Sequence, residues 1–392
     1  MKIGIITFWW TDENYGQILQ LYGLYSYLTS LGHDVEVIRY RPSNKKDYLQ
    51  IATKISTIEL SRTLLKKIRS SFNSHKLSKQ RDRNPRMFED FRKQQFSFSS
   101  LQYSHIEELR MNAPAADLYI CGSDQIWNYI RPTPSGFDQL DAYTLQFGNQ
   151  DTKRISYAAS FGFAGIQEQV GERIARNLRN IDAVSVREDF AVKVLNRFGI
   201  ESITVAPDPS MLLSREQYGQ IIDSHALRSP EVADYFIYLV KNRSMITLKD
   251  IVSTMKKRHL HYFATGANEV VDSRLNYFPT ISEWLFQIQN AKVVVTNSFH
   301  GCVFSIIFQT DFYYFPLQAN IQGFEDSRIE TFLSKLGIEG RKITSRVELE
   351  HILDTPAPSI DWGHVTKSMD GFVSVGTRFL DDAIAKLTKS MV

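Results

Sequence analysis

The sequence predicts an α/β protein made of two halves with a cleft between them. Three observations lead there. Short apolar runs of strand length alternate with helical patterns along most of the chain. At ~100–200 residues per domain, 392 residues suit two domains, each able to bury its own core. The proline-punctuated stretch Ala206-Pro-Asp-Pro-Ser210 interrupts the alternation and divides it.

The elements follow in order. Lys2 to Trp9 is an apolar run of strand length, and the polar stretch Thr11 to Gly16 follows it. Ile18, Leu21, Tyr22, Tyr25, Leu28 and Leu31 recur at helical spacing, Gly32 stops that helix, and Asp34–Tyr40 alternates as a strand. Such a unit builds a parallel sheet whose ligands sit in loops at the strands' carboxyl ends. Further strands are predicted at 117–121, 154–159, 183–186 and 203–205, with helices over 167–180 and 189–198. The second series has strands at 235–240, 260–264, 292–296 and 312–315, and helices over 244–258 and 283–290. Another helix opens at His300 and Gly301. The predicted domains are 1–208 and 209–370, with a last helix over 371–392 returning to the first.

Apolar residues make up 43% and charged residues 23%, ordinary globular values that exclude disorder, collagen or coiled coil for the whole chain. No apolar run approaches the ~18–20 residues of a membrane span, and MKIGIITFWW turns polar too early for a signal peptide, so a soluble cytoplasmic protein is expected. Cys121 and Cys302 lack paired spacing, which excludes a disulfide framework and a Cys-rich zinc site. The net charge of +3 is uneven: residues 44–95 carry 14 Lys/Arg against 5 acids, a local +9 that leaves −6 for the remainder. This basic segment reads as a helical insertion that meets an anionic membrane, or as a solvated helical face. Without a zinc-finger or RNP signature, no nucleic acid is expected.

Dinucleotide and P-loop glycine motifs are missing, as is H-E-x-x-H, and no metal is expected. His259 and His261 alternate on the predicted strand 260–264 but have no third ligand. The richest constellation is Thr296-Asn-Ser-Phe-His-Gly-Cys302, between an apolar strand and an apolar helix. His300 therefore lies at a helix N-terminus, where free N–H groups and the dipole favour an anion. Asn297 and Ser298 can cap the helix or bind that anion, and histidine can donate a proton there. Arg187 follows a strand and offers a fork for carboxylate or phosphate, or else an ion pair to Glu188 or Asp189. Lys241-Asn-Arg243 repeats the placement in the second half. The loop Gly122-Ser-Asp-Gln-Ile-Trp-Asn128 mixes polar groups with an aromatic, as a sugar face does; Trp127 as core is the plainer alternative.

The chain resembles the polysaccharide pyruvyl transferase family. The resemblance rests on NYGQILQLYGL near the start, CGSDQIWN at 121–128, RISYAASFG at 154–162, SVRE at 185–188, APDPSMLL at 206–213 and ISEW…NAKVVVTNSFHG at 281–301. It implies two Rossmann-like domains in a GT-B-like arrangement. It also implies a cytoplasmic enzyme, working at the inner face of the membrane, that ketalises a sugar of a cell-surface glycan or its lipid-linked precursor with pyruvate from phosphoenolpyruvate, without a cofactor. His300 becomes the acid and Arg187 its catalytic partner. Asn297, Ser298, Gly301, Lys241, Arg243, Arg328 and Glu283 are expected on the donor. Asn14, Gly16, Gln17, Ser123, Asp124, Trp127 and Asn128 are expected on the acceptor. Family members with demonstrated activity tend to carry Arg two residues before the His; Ser298 stands there, leaving Lys241, Arg243 or Arg328 to supply the charge. Two other readings are a transferase using a nucleotide-activated sugar and a non-catalytic subunit of glycan assembly. The helix dipole and Arg187 both oppose a charged imidazole, so proton uptake is expected mainly with the donor.

Overall fold

The computed structural model describes residues 1–43, 85–128, 130–162, 165–225, 227–228, 231–241, 246–267, 270, 272–317 and 328–390. Two separate parallel sheets organise it. The first has seven strands: β1 (Lys2–Ile6), β2 (Asp34–Tyr40), β3 (Phe98–Tyr103), β4 (Leu118–Gly122), β5 (Lys153–Ala159), β6 (Ala183–Val186) and β7 (Ile203–Val205), in the order β3-β2-β1-β4-β5-β6-β7. The second has four: β8 (Tyr235–Leu239), β9 (Tyr262–Gly266), β10 (Val293–Thr296) and β11 (Phe312–Tyr314), in the order β11-β10-β8-β9. Both predicted halves are therefore present as sheets of their own. Central strands such as β4, LYICG, are buried at every position, as a strand covered on both faces requires.

Strand order locates the site. In the first sheet the chain runs outward from β1 to β2 and β3, then returns to pair β4 with the other edge of β1, Ile3 lying opposite both Val35 and Leu118. In the second, β9 and β10 flank β8, with Tyr235 opposite both Tyr262 and Val293. Each reversal opens a crevice beyond the carboxyl ends of its strands. The loops after β1 and β4 line one crevice, and those after β8 and β10 the other.

The helices of the first half are α1 (Tyr15–Ser30), α2 (Phe88–Gln95), α3 (Ile106–Asn112), α4 (Pro134–Tyr143), α5 (Glu168–Leu178) and α6 (Asp189–Arg197). Those that follow are α7 (Arg215–Asp223), α8 (Leu248–Lys257), α9 (Ile281–Asn290), α10 (Phe299–Phe308), α11 (Arg328–Lys335), α12 (Arg346–Asp354) and α13 (Trp362–Ser390). One apolar cluster crosses the junction of the halves. Tyr15 of α1 stacks on Trp284 of α9 at 5.2 Å and 6°, and its hydroxyl donates to the Pro279 carbonyl at 2.6 Å. Burying aromatic pairs stabilises by about 0.5–1.5 kcal/mol beyond the area term, and here it fixes α1 against the second half. A Cβ on Gly23 would lie 2.2 Å from the Pro209 carbonyl, so α1 also packs closely on the 3-10 turn Pro209–Met211. The long α13 crosses back to β5 and β7.

One expectation is corrected, and one strand was not anticipated. β9 begins only at Tyr262, so His259, with φ 55°, and His261 precede it and do not share a strand face. Strand β3 was hidden by its polar sequence, FSSLQY, whose middle is exposed at the sheet edge. Of the basic segment, 44–84 lies outside the described residues, while 85–95 contains α2. Among the described residues no helix is long and apolar enough to cross a membrane.

Candidate functional site

The start of α10 is fixed by short polar side chains. Ser298 is the N-cap, its Oγ accepting from the Gly301 amide at 3.3 Å. Thr296 Oγ1 donates to the Tyr238 carbonyl at 2.6 Å and accepts from the Ser298 amide at 3.0 Å. A Cβ at Gly301 would stand 2.4 Å from that Oγ1. Asn297 ties the crevice of the second sheet together: its Oδ1 accepts from Val240 N and its Nδ2 donates to the Lys241 carbonyl, both at 2.8 Å. This scaffold aims His300, in the first turn, at the other half.

The start of α1 faces it. Asn14 caps α1 by accepting from the Gln17 amide at 3.3 Å. Gln17 Nε2 reaches Asp124 Oδ2 at 3.0 Å, joining the loops after β1 and β4. Asp124 itself has φ 56°, a left-handed conformation that is uncommon outside glycine and recurs at ligand sites. Gly16 is where α1 approaches His300: any Cβ there would lie 2.2 Å from the imidazole Cγ and Nδ1.

Asp208 joins the two halves chemically. Fully buried, it follows β7 and caps the 3-10 turn, Oδ1 accepting from Ser210 N at 3.0 Å and Ser210 Oγ at 2.7 Å. Its Oδ2 accepts from Arg187 Nη1 at 2.8 Å and Ser123 Oγ at 3.3 Å, and lies 3.4 Å from His300 Nε2. The last contact is within ion-pair range, but Nε2 makes no hydrogen bond. Burial alone would raise the Asp208 pKa; His300, Arg187 and Ser210 outweigh it and hold the carboxyl well below its ordinary value. An anionic Asp208 thus supplies the countercharge of an imidazolium. Arg187 in addition donates from Nη2 to Ser160 Oγ at 3.0 Å and from Nε to Glu188 Oε1 at 3.4 Å, and its guanidinium lies 5.0 Å from the centre of the Phe299 ring. Both sequence readings of Arg187 meet here: it is ion-paired, and it borders the cleft.

A cavity of about 210 Å³ between the halves is lined by Asn14, Gln17, Asp124 and Arg187 from one side and by Lys241, Asn297, Ser298 and His300 from the other. Other expected site residues are elsewhere. Trp127 is buried in the core, where its Nε1 donates to the Tyr143 carbonyl at 3.0 Å and its ring packs on Phe161. Ser123 serves Asp208 rather than an acceptor, and Asn128 Nδ2 donates to Gln125 Oε1. Glu283 is buried in the capping box of α9, ion-paired to Arg228 at 2.7 Å, and does not line this cavity. Gly16 and Gly301 contribute close approach instead of a contact. Arg243 lies outside the described residues; Arg328 opens α11, its side chain outside them. The residues that sequence reasoning missed are Asp208 and Ser160. An aspartate framed by prolines just after a strand was the available signal for Asp208.

Two parallel Rossmann-type sheets meeting at a charged cleft define a GT-B fold. Solved structures agree: UGT89C1 of Arabidopsis thaliana complexed with UDP is similar with a TM-score of 0.52 and 11% identity over 99% of both chains. A putative UDP-N-acetylglucosamine 2-epimerase of Listeria monocytogenes is similar with a TM-score of 0.50 and 10% identity, over 97% of this chain and 94% of that one. At such identity the likeness speaks for the fold alone. No curated protein sequence gives a significant match. Residues 14–317 match the polysaccharide pyruvyl transferase family, and the chain belongs to that family. It is accordingly placed among transferases.

Proposed function

We propose that this chain transfers pyruvate from phosphoenolpyruvate to two hydroxyls of a sugar, forming a cyclic ketal on a cell-surface glycan or its lipid-linked precursor. The observation that carries this reading is the His300–Asp208–Arg187 cluster at the cleft. Phosphoenolpyruvate presents a carboxylate and a phosphate, and the cleft offers Arg187, Lys241 and the N-terminus of α10. Lys241 is the described cation that best replaces the arginine absent at position 298. No cofactor is required.

The chemistry begins with a proton from His300 to the donor's methylene carbon, which becomes a methyl group while positive charge develops at C2. The imidazole delivers that proton from the wall of the cleft that it lines. One sugar hydroxyl adds to C2 and its proton returns to the imidazole. The C2–O bond to phosphate then breaks, and the second hydroxyl closes the ketal, its proton leaving with the phosphate. Asp208 stabilises the imidazolium at the outset, as a buried carboxylate does for a catalytic histidine. The acceptor is proposed to approach from the side of Asn14, Gln17 and Asp124, and the enzyme to work in the cytoplasm at the inner face of the membrane.

Thermal shift with phosphoenolpyruvate against a panel of nucleotide sugars tests the donor, since a ligand at 100 times its Kd stabilises by ~2.7 kcal/mol. Stabilisation by phosphoenolpyruvate, weakened in Arg187→Ala, is the expected result. A response to a nucleotide sugar alone would overturn it.

A further inference from the structure

On the other side of Arg187 and Phe299 lies a second cavity of about 230 Å³. Its walls come from α6, α10, α11 and α13, and include Phe190, Phe299, Phe332 and Phe372. Glu188 lines it too. This carboxylate is 7% exposed; its Oε1 accepts from Ser160 Oγ and Arg187 Nε, but its Oε2 has no partner. A buried acceptor left unsatisfied is destabilising, and such a group in a native fold calls for a partner that a ligand's hydroxyl would supply. Asp208 borders the same space.

The two cavities differ in what they would accept. The first is lined by Lys241, His300 and a helix N-terminus, and suits an anion. The second is lined by four phenylalanines, and its acids Glu188, Asp189 and Asp208 are matched by Arg187, Lys193 and Lys335, the last held by Asp189 at 2.7 Å. A lining whose charges cancel does not favour a dianionic donor, whereas an unpartnered carboxylate oxygen attracts a hydroxyl and aromatic faces pack against the C–H surface of a pyranose. We infer that this second cavity is a sugar subsite, in which Glu188 Oε2 accepts a hydrogen bond from a hydroxyl of a neutral hexose ring of the acceptor, a neighbour of the ring that approaches past Asn14, Gln17 and Asp124. Arg187 and Phe299 form the wall it shares with the donor cleft, so a ring seated there lies next to the donor. That assignment of the sugar as acceptor rests on the function proposed above; the sugar site itself does not.

Saturation-transfer NMR on the full chain, irradiating aromatic protons, tests it with methyl gluco-, galacto- and mannopyranosides as probes. At least one hexoside should receive saturation from the wild-type protein. Glu188→Gln should weaken its binding about 10–100-fold, the loss expected for a hydrogen bond to a charged group. Phe372, half-buried on α13, lines the second cavity and not the first; Phe372→Ala should abolish saturation transfer while calorimetry finds phosphoenolpyruvate bound as before. Failure of phosphoenolpyruvate to bind the wild-type protein, with hexoside binding intact, would remove the proposed reaction and leave the sugar site standing. Absence of any hexoside binding, or binding unchanged in both variants, would overturn the subsite.

Discussion

The starts of α1 and α10 are built alike and do different things. Each follows a strand beside a switch point, and each is capped by a side-chain oxygen that accepts the amide three residues on, Asn14 from Gln17 and Ser298 from Gly301. At the second helical position they diverge. Helix α10 carries His300 there, while α1 carries Gly16, whose missing side chain is the space the imidazole occupies. The pair teaches that one helix start contributes chemistry and the other contributes room, so a site residue need not touch a ligand to be indispensable.

The largest expected effect falls on the chemical side. His300→Ala should lower turnover by roughly 10²–10⁴-fold while phosphoenolpyruvate still binds, measured by phosphate release beside calorimetry. Normal turnover would make the histidine structural and dissolve the contrast.

Next is the carboxylate between the halves. Removing one partner of a buried ion pair costs about 3–5 kcal/mol, which is the destabilisation expected of Asp208→Asn in urea unfolding near pH 7. The sign with pH follows from its depressed folded pKa. The stabilisation is fully present above the unfolded value of about 3.9 and fades as pH falls below it. Wild-type stability should therefore drop more steeply than that of Asp208→Asn below pH 4; parallel curves would show that Asp208 is not held ionised.

Gly16→Ala tests the side that contributes room. Overpacking at 2.2 Å must displace the ring, at a cost of about 1–3 kcal/mol, and turnover should fall with it. An active, equally stable Gly16→Ala protein would mean that α1 and α10 do not constrain each other. The smallest effects come from the caps. Asn14→Ala and Ser298→Ala should each lose about 1 kcal/mol of stability, yet only Ser298→Ala should depress turnover strongly, because it frees the helix that aims His300. Equal losses of activity would erase the distinction.

Much of this was legible in the sequence. Strand runs such as KIGII and VVVT, and capping residues ahead of apolar helices, declare themselves through period and chemistry, and Arg187, Lys241 and His300 were found because carboxyl-end loops collect ligand groups. Partnership was not legible. Glu283 looks like a site carboxylate until Arg228, 55 positions away, takes it. Trp127 offers an aromatic beside polar residues, but it is buried against Phe161 and the Tyr143 carbonyl; Trp127→Ala belongs with core truncations that cost about 3–5 kcal/mol. Asp208 was passed over because local pattern gives a proline-rich loop no chemistry, and its worth comes from His300 and Arg187, which tertiary structure brings to it.

The return of α13 has a consequence for biosynthesis. Leu380 and Ala383 on this helix are buried, Phe379 packs near Tyr157, and at Gly376 a Cβ would meet the Tyr157 hydroxyl at 2.4 Å. The face of β5 and β7 that receives them leaves the ribosome about 150 residues before α13 does. At ~5–20 residues per second that interval is roughly 8–30 s, during which the first sheet stands with an apolar flank uncovered. The amino-terminal half thus completes its packing only after the other half has been made.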